Sequence, residues 1–174
     1  MKLDIGSGVH YREPLNEWTH LNESPAPHVE IVCDWKTIPL PTESVDEIHL
    51  GDVVEHVPRW EYAAVFGEWN RVLKVGGIFH GSTPDLHRTM MDYAEPGPHH
   101  VSLQDAINAL YGWATSTGQQ HYTTYTKETL TALLAQYGFQ IDSFDGSPGP
   151  ANRPWWLVFN GHKVSRSLWR NYGD

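Results

Sequence analysis

Cysteine is almost absent from this sequence: Cys33 stands alone among 174 residues, which excludes an internal disulfide and fits a reducing cytoplasm as the expected location. Cations are scarce as well. The 12 Lys plus Arg face 21 Asp plus Glu, a formal charge of −9 with histidines neutral. That balance argues against an electrostatic grip on nucleic acid or on an anionic membrane, both of which need clustered Lys and Arg. No apolar run approaches the roughly 20 residues of a membrane-spanning helix. Met1-Lys2-Leu3-Asp4 opens straight into patterned sequence, without a signal-peptide pattern. Repeats, low-complexity tracts and dividing linkers are missing too; the richest Gly/Pro stretch, Asp145 to Pro154, lies too near the end to separate two domains. A single domain over 1–174 is expected. Against these absences stand a hydrophobic fraction of 40%, sufficient for a core, and an excess of aromatic and imidazole side chains, with 8 Trp and 11 His.

Strand and helix signals alternate along the chain. Lys2 to Ile5 reads as a short strand ending at Gly6-Ser7-Gly8, Thr19 to Leu21 as a weak one, Val29 to Cys33 as a clearer one, and Val45 to Leu50 as the next. Asp52 to Val57 has the length of a helical turn before Pro58. From Trp60 to Lys74 the set Ala64, Val65, Trp69, Val72 and Leu73 recurs at three- and four-residue steps, the mark of an amphipathic helix, and Val75-Gly76-Gly77 is expected to cap it. Ile78 to Ser82 reads as a strand, and Leu86 to Gly118 as helix in pieces. Thr126 is expected to cap a helix from Lys127 to Tyr137 that stops at Gly138. Gln140 to Phe144 and Trp155 to His162 close the chain as two strands. A βαβ series ending in a hairpin means an antiparallel strand on an otherwise parallel sheet, an α/β Rossmann-like fold of about seven strands with helices on both faces.

Gly6-Ser7-Gly8 stands just after the first strand, where open α/β sheets bind ligands and where glycine lets a ligand approach the backbone. The third glycine of a dinucleotide fingerprint is missing, since His10 and Tyr11 stand in its place, which disfavours a nicotinamide cofactor. The chain then runs through an ordered set of segments: a strand ending in Asn22-Glu23, another ending in Asp34-Trp35, Ile38-Pro39-Leu40-Pro41, Ser44 to Ile48, Val54-Glu55-His56-Val57, and Arg71-Val72-Leu73-Lys74-Val75-Gly76-Gly77. In this order the pieces resemble the class I S-adenosylmethionine-dependent methyltransferases, in particular the small type 11 methyltransferase domain. The resemblance covers about residues 1–85 and continues more loosely through His121 to Thr126, Leu130 and Tyr137-Gly138-Phe139.

The resemblance implies S-adenosylmethionine as cofactor and a role for each matching residue. Gly6 and Gly8 would lie against its methionine part, with Asp4 near the amino group. Asn22 stands where an acid normally accepts from both ribose hydroxyls, with Glu23 beside it to substitute. Asp34 would sit near the adenine amino group, with Trp35 or Ile38 on the ring. Leu50, Gly51 and Val53 would line the pocket below the sulfonium, and His56 would face it. Only residues 9–17 separate Gly8 from Trp18, fewer than the roughly 10 to 12 of a complete crossover with its helix, so the first helix is expected to be abbreviated and one pocket wall incomplete.

Methyl transfer is an in-line displacement, served chiefly by proximity and alignment. A base matters where the methyl acceptor must lose a proton, and histidine is the usual residue near neutral pH. His121, in a polar and aromatic segment between two helices, and His56 are the candidates. No metal site is expected, because His99-His100 lacks structural zinc spacing and no pair of histidines shares a helical face. Trp35, Trp60 and Trp113 beside the cleft segments, with few cations, favour a neutral small-molecule or glycan-like methyl acceptor. A cofactor-binding module without catalysis is the second reading, suggested by Asn22 and the short crossover. The oligomeric state is open, a dimer included.

Overall fold

The computed structural model describes residues 1–8, 17–95, 97, 100–113, 119–145 and 156–167. Among the described residues, seven strands form one sheet in the order β3-β2-β1-β4-β5-β7-β6: β1 (Lys2–Ile5), β2 (Thr19–Asn22), β3 (Ile31–Val32), β4 (Val45–Gly51), β5 (Leu73–Pro84), β6 (Phe139–Asp145) and β7 (Trp156–Lys163). The β3-β2-β1-β4-β5 pairs are parallel, and β7 runs antiparallel to both its neighbours, as the closing hairpin predicts. The helices are α1 (Tyr62–Val72), α2 (Leu86–Ala94), α3 (Leu103–Tyr111) and α4 (Lys127–Gln136), with short 3-10 turns at Val54–His56 and Arg59–Glu61. The expected abbreviated crossover at 9–16, His99 and the Pro/Gly loop at 146–155 lie outside the described residues.

Strand alternation divides the sheet into two unlike faces. Ile48 and Leu50 of β4 and Phe79 of β5 meet Trp69 of α1, Leu134 of α4 and Phe139 of β6 in the apolar core. Val65, Trp69 and Val72 are buried on α1, as the three- and four-residue spacing predicts, with Phe66 buried beside them and Ala64 only partly so. Burying a large side chain of this kind contributes about 1.5–3 kcal/mol.

Two elements differ from the sequence reading. First, α1 does not end on Gly76-Gly77. Leu73 turns extended, with φ −74° and ψ 135°, and pairs with Val45, and the extra residues up to Gly77 are taken up by an irregularity where β4 opposes β5. The reason lies in the core: Leu73 is fully buried, and the helix end is capped from outside by Lys163, whose Nζ donates to the carbonyls of Asn70 at 2.8 Å and Leu73 at 2.7 Å. Second, β3 is two residues long rather than five. It is an edge strand whose Val32 is exposed, and edges are kept short. The cap of α4 agrees with the reading, because Thr126 and Thr129 form a reciprocal capping box.

Candidate functional site

On the face away from α1 and α4, successive strands place His20, Asp4, His49 and His80 in register across β2, β1, β4 and β5. Asp4 is buried, and its two carboxylate oxygens accept from His20 Nδ1 at 2.9 Å and His49 Nδ1 at 2.8 Å. Trp18 stands edge-on to His49 and His80. Burial and the neighbouring His49 hold His80 below the ordinary histidine range. Alternation turns Asp4 to the polar face, where two imidazoles engage it. Part of the histidine excess is used here as a cross-strand row. Gly51 belongs to the same arrangement, since a Cβ there would meet His49 Cε1 at 2.6 Å.

At the carboxyl ends of β1 and β4 the chain makes a tight cradle. Gly6 has φ +72°, and a Cβ on it would lie 2.6 Å from Val53 Cγ2 and 3.4 Å from Trp35 Cζ2. Gly6 and Ser7 both donate their backbone N–H to the Leu21 carbonyl. The buried Ser7 hydroxyl has no hydrogen-bond partner in the structure, and such a group marks a place where a ligand or water completes the bonding. Gly8 also has φ +72°, with open space around it. The structure therefore brings Gly6, Val53 and Trp35 together, whereas the Leu50 side chain points into the apolar core.

The rim beyond β2 and β3 is charged. Asn22 donates from its amide nitrogen to the Ser24 carbonyl at 2.9 Å. Glu23 is held above the usual carboxylate range by partial burial and then by the nearby Asp34 carboxylate. Asp34 is exposed and caps its own turn, accepting from Lys36 N at 2.8 Å, while Lys36 Nζ also reaches Glu61 at 3.0 Å. The Ile38 to Thr42 loop is pinned from α1, since Arg71 donates to the Ile38 and Leu40 carbonyls and Glu68 accepts from Ile38 N.

Beyond the cradle lies a corner built from two remote segments. Asp52 leaves β4 at φ +59°, a left-handed conformation uncommon outside glycine, and accepts from Ser82 Oγ at 2.7 Å. The adjoining 3-10 turn carries Glu55, fully buried, and His56. The Glu55 backbone carbonyl accepts from Tyr122 N at 2.8 Å, and Tyr125 Oη donates to the Val54 carbonyl at 3.2 Å. Gly112 closes the other side: with φ +81°, it bridges to Gln120 where a Cβ would come within 1.9 Å of the Gln119 carbonyl. These ties bring His121 to His56, with ring centroids 4.8 Å apart and nearly perpendicular.

Each ring is fixed by a backbone carbonyl. His56 Nδ1 lies 3.0 Å from the Gln120 carbonyl and His121 Nδ1 lies 2.9 Å from that of Ala109. A carbonyl can only accept, so each Nδ1 carries the proton and each Nε2 the lone pair. Burial lowers the pKa of both, that of His121 to about 4, so both rings are neutral at pH 7. The two histidines singled out in the sequence thus meet, and two acids that sequence reasoning missed, Glu55 and Asp52, complete the corner. Their signal is an acid at the end of a central strand and another beside His56. Trp60 and Tyr122 pack edge-on at 5.7 Å on the exposed rim.

A mostly parallel sheet of this strand order with an antiparallel seventh strand, and a glycine cradle after its first strand, makes an α/β Rossmann-like fold. Residues 3–80 match the family described as a methyltransferase domain. The chain is similar in structure to a 1,6-didemethyltoxoflavin N1-methyltransferase of Burkholderia thailandensis, solved with 1,6-didemethyltoxoflavin and S-adenosylhomocysteine. The two share 18% identity over 94% of this chain and 71% of that one, with a TM-score of 0.65. An S-adenosylmethionine-dependent methyltransferase of Methanosarcina mazei matches at 17% identity over 94% and 92% of the two chains, with a TM-score of 0.62. The [4+2]-cyclase SpnF matches at 15% identity over 93% and 73%, with a TM-score of 0.56. No curated protein matches the sequence. Among the described residues, no helix is long and apolar enough to cross a membrane.

Proposed function

We propose that this protein transfers a methyl group from S-adenosylmethionine to a neutral small-molecule or glycan-like acceptor. The observation that carries this reading is the Gly6 cradle, closed by Val53 and Trp35 and holding an unpartnered buried Ser7 hydroxyl, at the strand ends where the motif order places the methionine part of the cofactor. Gly6, Gly8 and Ser7 hold that part; Glu23, with the Asn22 amide oxygen, accepts from the ribose; Asp34 and Trp35 take the adenine. The cofactor supplies an electrophilic methyl on a sulfonium. Val53 and the cradle orient it, and alignment with the acceptor atom supplies most of the acceleration. His56 and His121 present neutral Nε2 atoms on the acceptor side, where they can accept a hydrogen bond or a proton from the acceptor's O–H or N–H. The Trp60–Tyr122 pair offers an aromatic edge suited to a flat ring or a sugar face.

Calorimetry with S-adenosylmethionine, S-adenosylhomocysteine and NAD tests the reading. One site for each of the first two is expected, and none for NAD; absence of binding at high micromolar concentration overturns it. Asp34→Ala is expected to weaken binding by about 1 kcal/mol. A fold shared with a [4+2]-cyclase supports a second reading, a cofactor-binding protein with other chemistry or none. Tight cofactor binding without turnover over a broad acceptor panel would favour it.

A further inference from the structure

Glu55, His56 and His121 come together at the corner beyond the cradle. One carboxylate oxygen of Glu55 and one ring nitrogen from each histidine all lie within 4.8 Å of one another. An ion bound at about 2.0–2.2 Å from three tetrahedral ligands needs them roughly 3.4 Å apart, so modest side-chain rotation closes the site. We propose that Glu55, His56 and His121 form a binding site for one divalent transition-metal ion.

Three features of the surroundings favour an ion over a chance cluster. The first is the orientation of the imidazoles. Each donates Nδ1–H to a backbone carbonyl, at 3.0 Å for His56 and 2.9 Å for His121, which is the outer-shell bond that fixes a metal-binding histidine with Nε2 turned to the ion. The second is the orientation of the carboxylate. Thr83, itself fully buried, donates from Oγ1 to Glu55 Oε2 at 3.0 Å, and ligating carboxylates are commonly held by hydrogen bonds of this kind. The third is preorganisation. The segments carrying the ligands are tied through Tyr122 N to the Glu55 carbonyl, Tyr125 Oη to the Val54 carbonyl and the Gly112–Gln120 bridge.

The ligand set names the class of ion. Two imidazoles and one carboxylate suit zinc, iron(II), cobalt(II) or manganese, whereas magnesium and calcium prefer an all-oxygen shell. Three protein ligands leave at least one coordination position open. If the methyltransferase reading holds, on which this last step rests, that position takes a hydroxyl of the methyl acceptor, whose proton the ion makes more acidic and which leaves to solvent, since Nε2 atoms bound to the ion no longer accept it. The absence of zinc spacing in the sequence does not bear on such a site, because its ligands come from segments that only the fold unites.

The test is titration of the metal-free protein with cobalt(II), read from its visible absorption, and with zinc(II) in competition. One ion per chain is expected. The variants His121→Ala and His56→Ala are expected to weaken binding by more than about 100-fold and Glu55→Gln by about 10-fold or more, while His162→Ala, outside the cluster, leaves it unchanged. Circular dichroism and S-adenosylhomocysteine affinity of each variant separate loss of ligand from loss of fold. The proposal is overturned if wild type binds neither ion more tightly than the His56→Ala/His121→Ala double variant. S-adenosylhomocysteine binding without metal binding would remove the ion and keep the methyltransferase reading; metal binding without it would do the reverse.

Discussion

In the row across the sheet, His20 and His49 give their Nδ1–H groups to one carboxylate, that of Asp4; at the corner, His56 and His121 give theirs to the backbone carbonyls of Gln120 and Ala109. The residue types are the same and the consequences differ. In the row, acid and imidazoles satisfy one another within three paired strands, an arrangement that holds structure. At the corner each Nδ1 proton is spent on a carbonyl, which leaves each Nε2 with its lone pair, and one ring nitrogen of each histidine lies within 4.8 Å of a Glu55 carboxylate oxygen. What a histidine can do is set by the partner given to its other nitrogen.

The largest expected effect comes from breaking the row. Asp4→Ala leaves two imidazole N–H groups without their acceptor in a buried setting, and a loss of about 3 kcal/mol is expected in urea unfolding. Cobalt affinity should be unchanged, because the corner does not depend on Asp4. Next is Gly112→Ala, whose Cβ cannot coexist with the Gln119 carbonyl at 1.9 Å and needs a strained positive φ. About 2 kcal/mol of stability and the cobalt signal should both be lost. Thr83→Val removes the hydrogen bond to Glu55: stability should fall by about 1 kcal/mol and metal affinity by roughly 10-fold. If stability fell and affinity did not, the carboxylate would not be part of the site.

A further effect concerns pH. His121 has its pKa lowered from 6.5 to about 4 in the folded chain, chiefly by burial, with His56 beside it acting the same way and Asp52 opposing. The folded state therefore binds this proton less readily than the unfolded one. The stability it contributes is complete above pH 6.5 and is lost as pH falls through about 4. Urea midpoints of the metal-free protein across that range should fall in wild type and fall less in His121→Gln.

Much of the frame is legible in the residues. The buried stripe of α1, the Thr126 cap, the antiparallel closing strand and the glycine turn after β1 all rest on local spacing, and local spacing survives folding. What the residues do not disclose is the meeting of remote parts. Lys163 at the end of β7 caps α1, so the glycine pair after that helix is not needed as its stop. His56 and His121 are separated by α1, β5, α2 and α3, and neither Glu55 nor Asp52 can be assigned to them until β4 and the 119–126 segment are seen side by side. Alternation along β1 could have shown that Asp4 faces away from Leu3 and Ile5, but its partners on β2 and β4 come from sheet register.

The contrast between the two histidine groups can be read directly from the long-range proton–nitrogen NMR spectrum of the histidine-labelled, metal-free protein at pH 7. Neutral rings with the proton on Nδ1 and a bare Nε2 are predicted for both His56 and His121, with the Nε2 signals shifting on addition of zinc. An Nε2–H tautomer or an imidazolium at either position, or Nε2 signals that ignore zinc, would contradict the assignment of these two rings to the corner site.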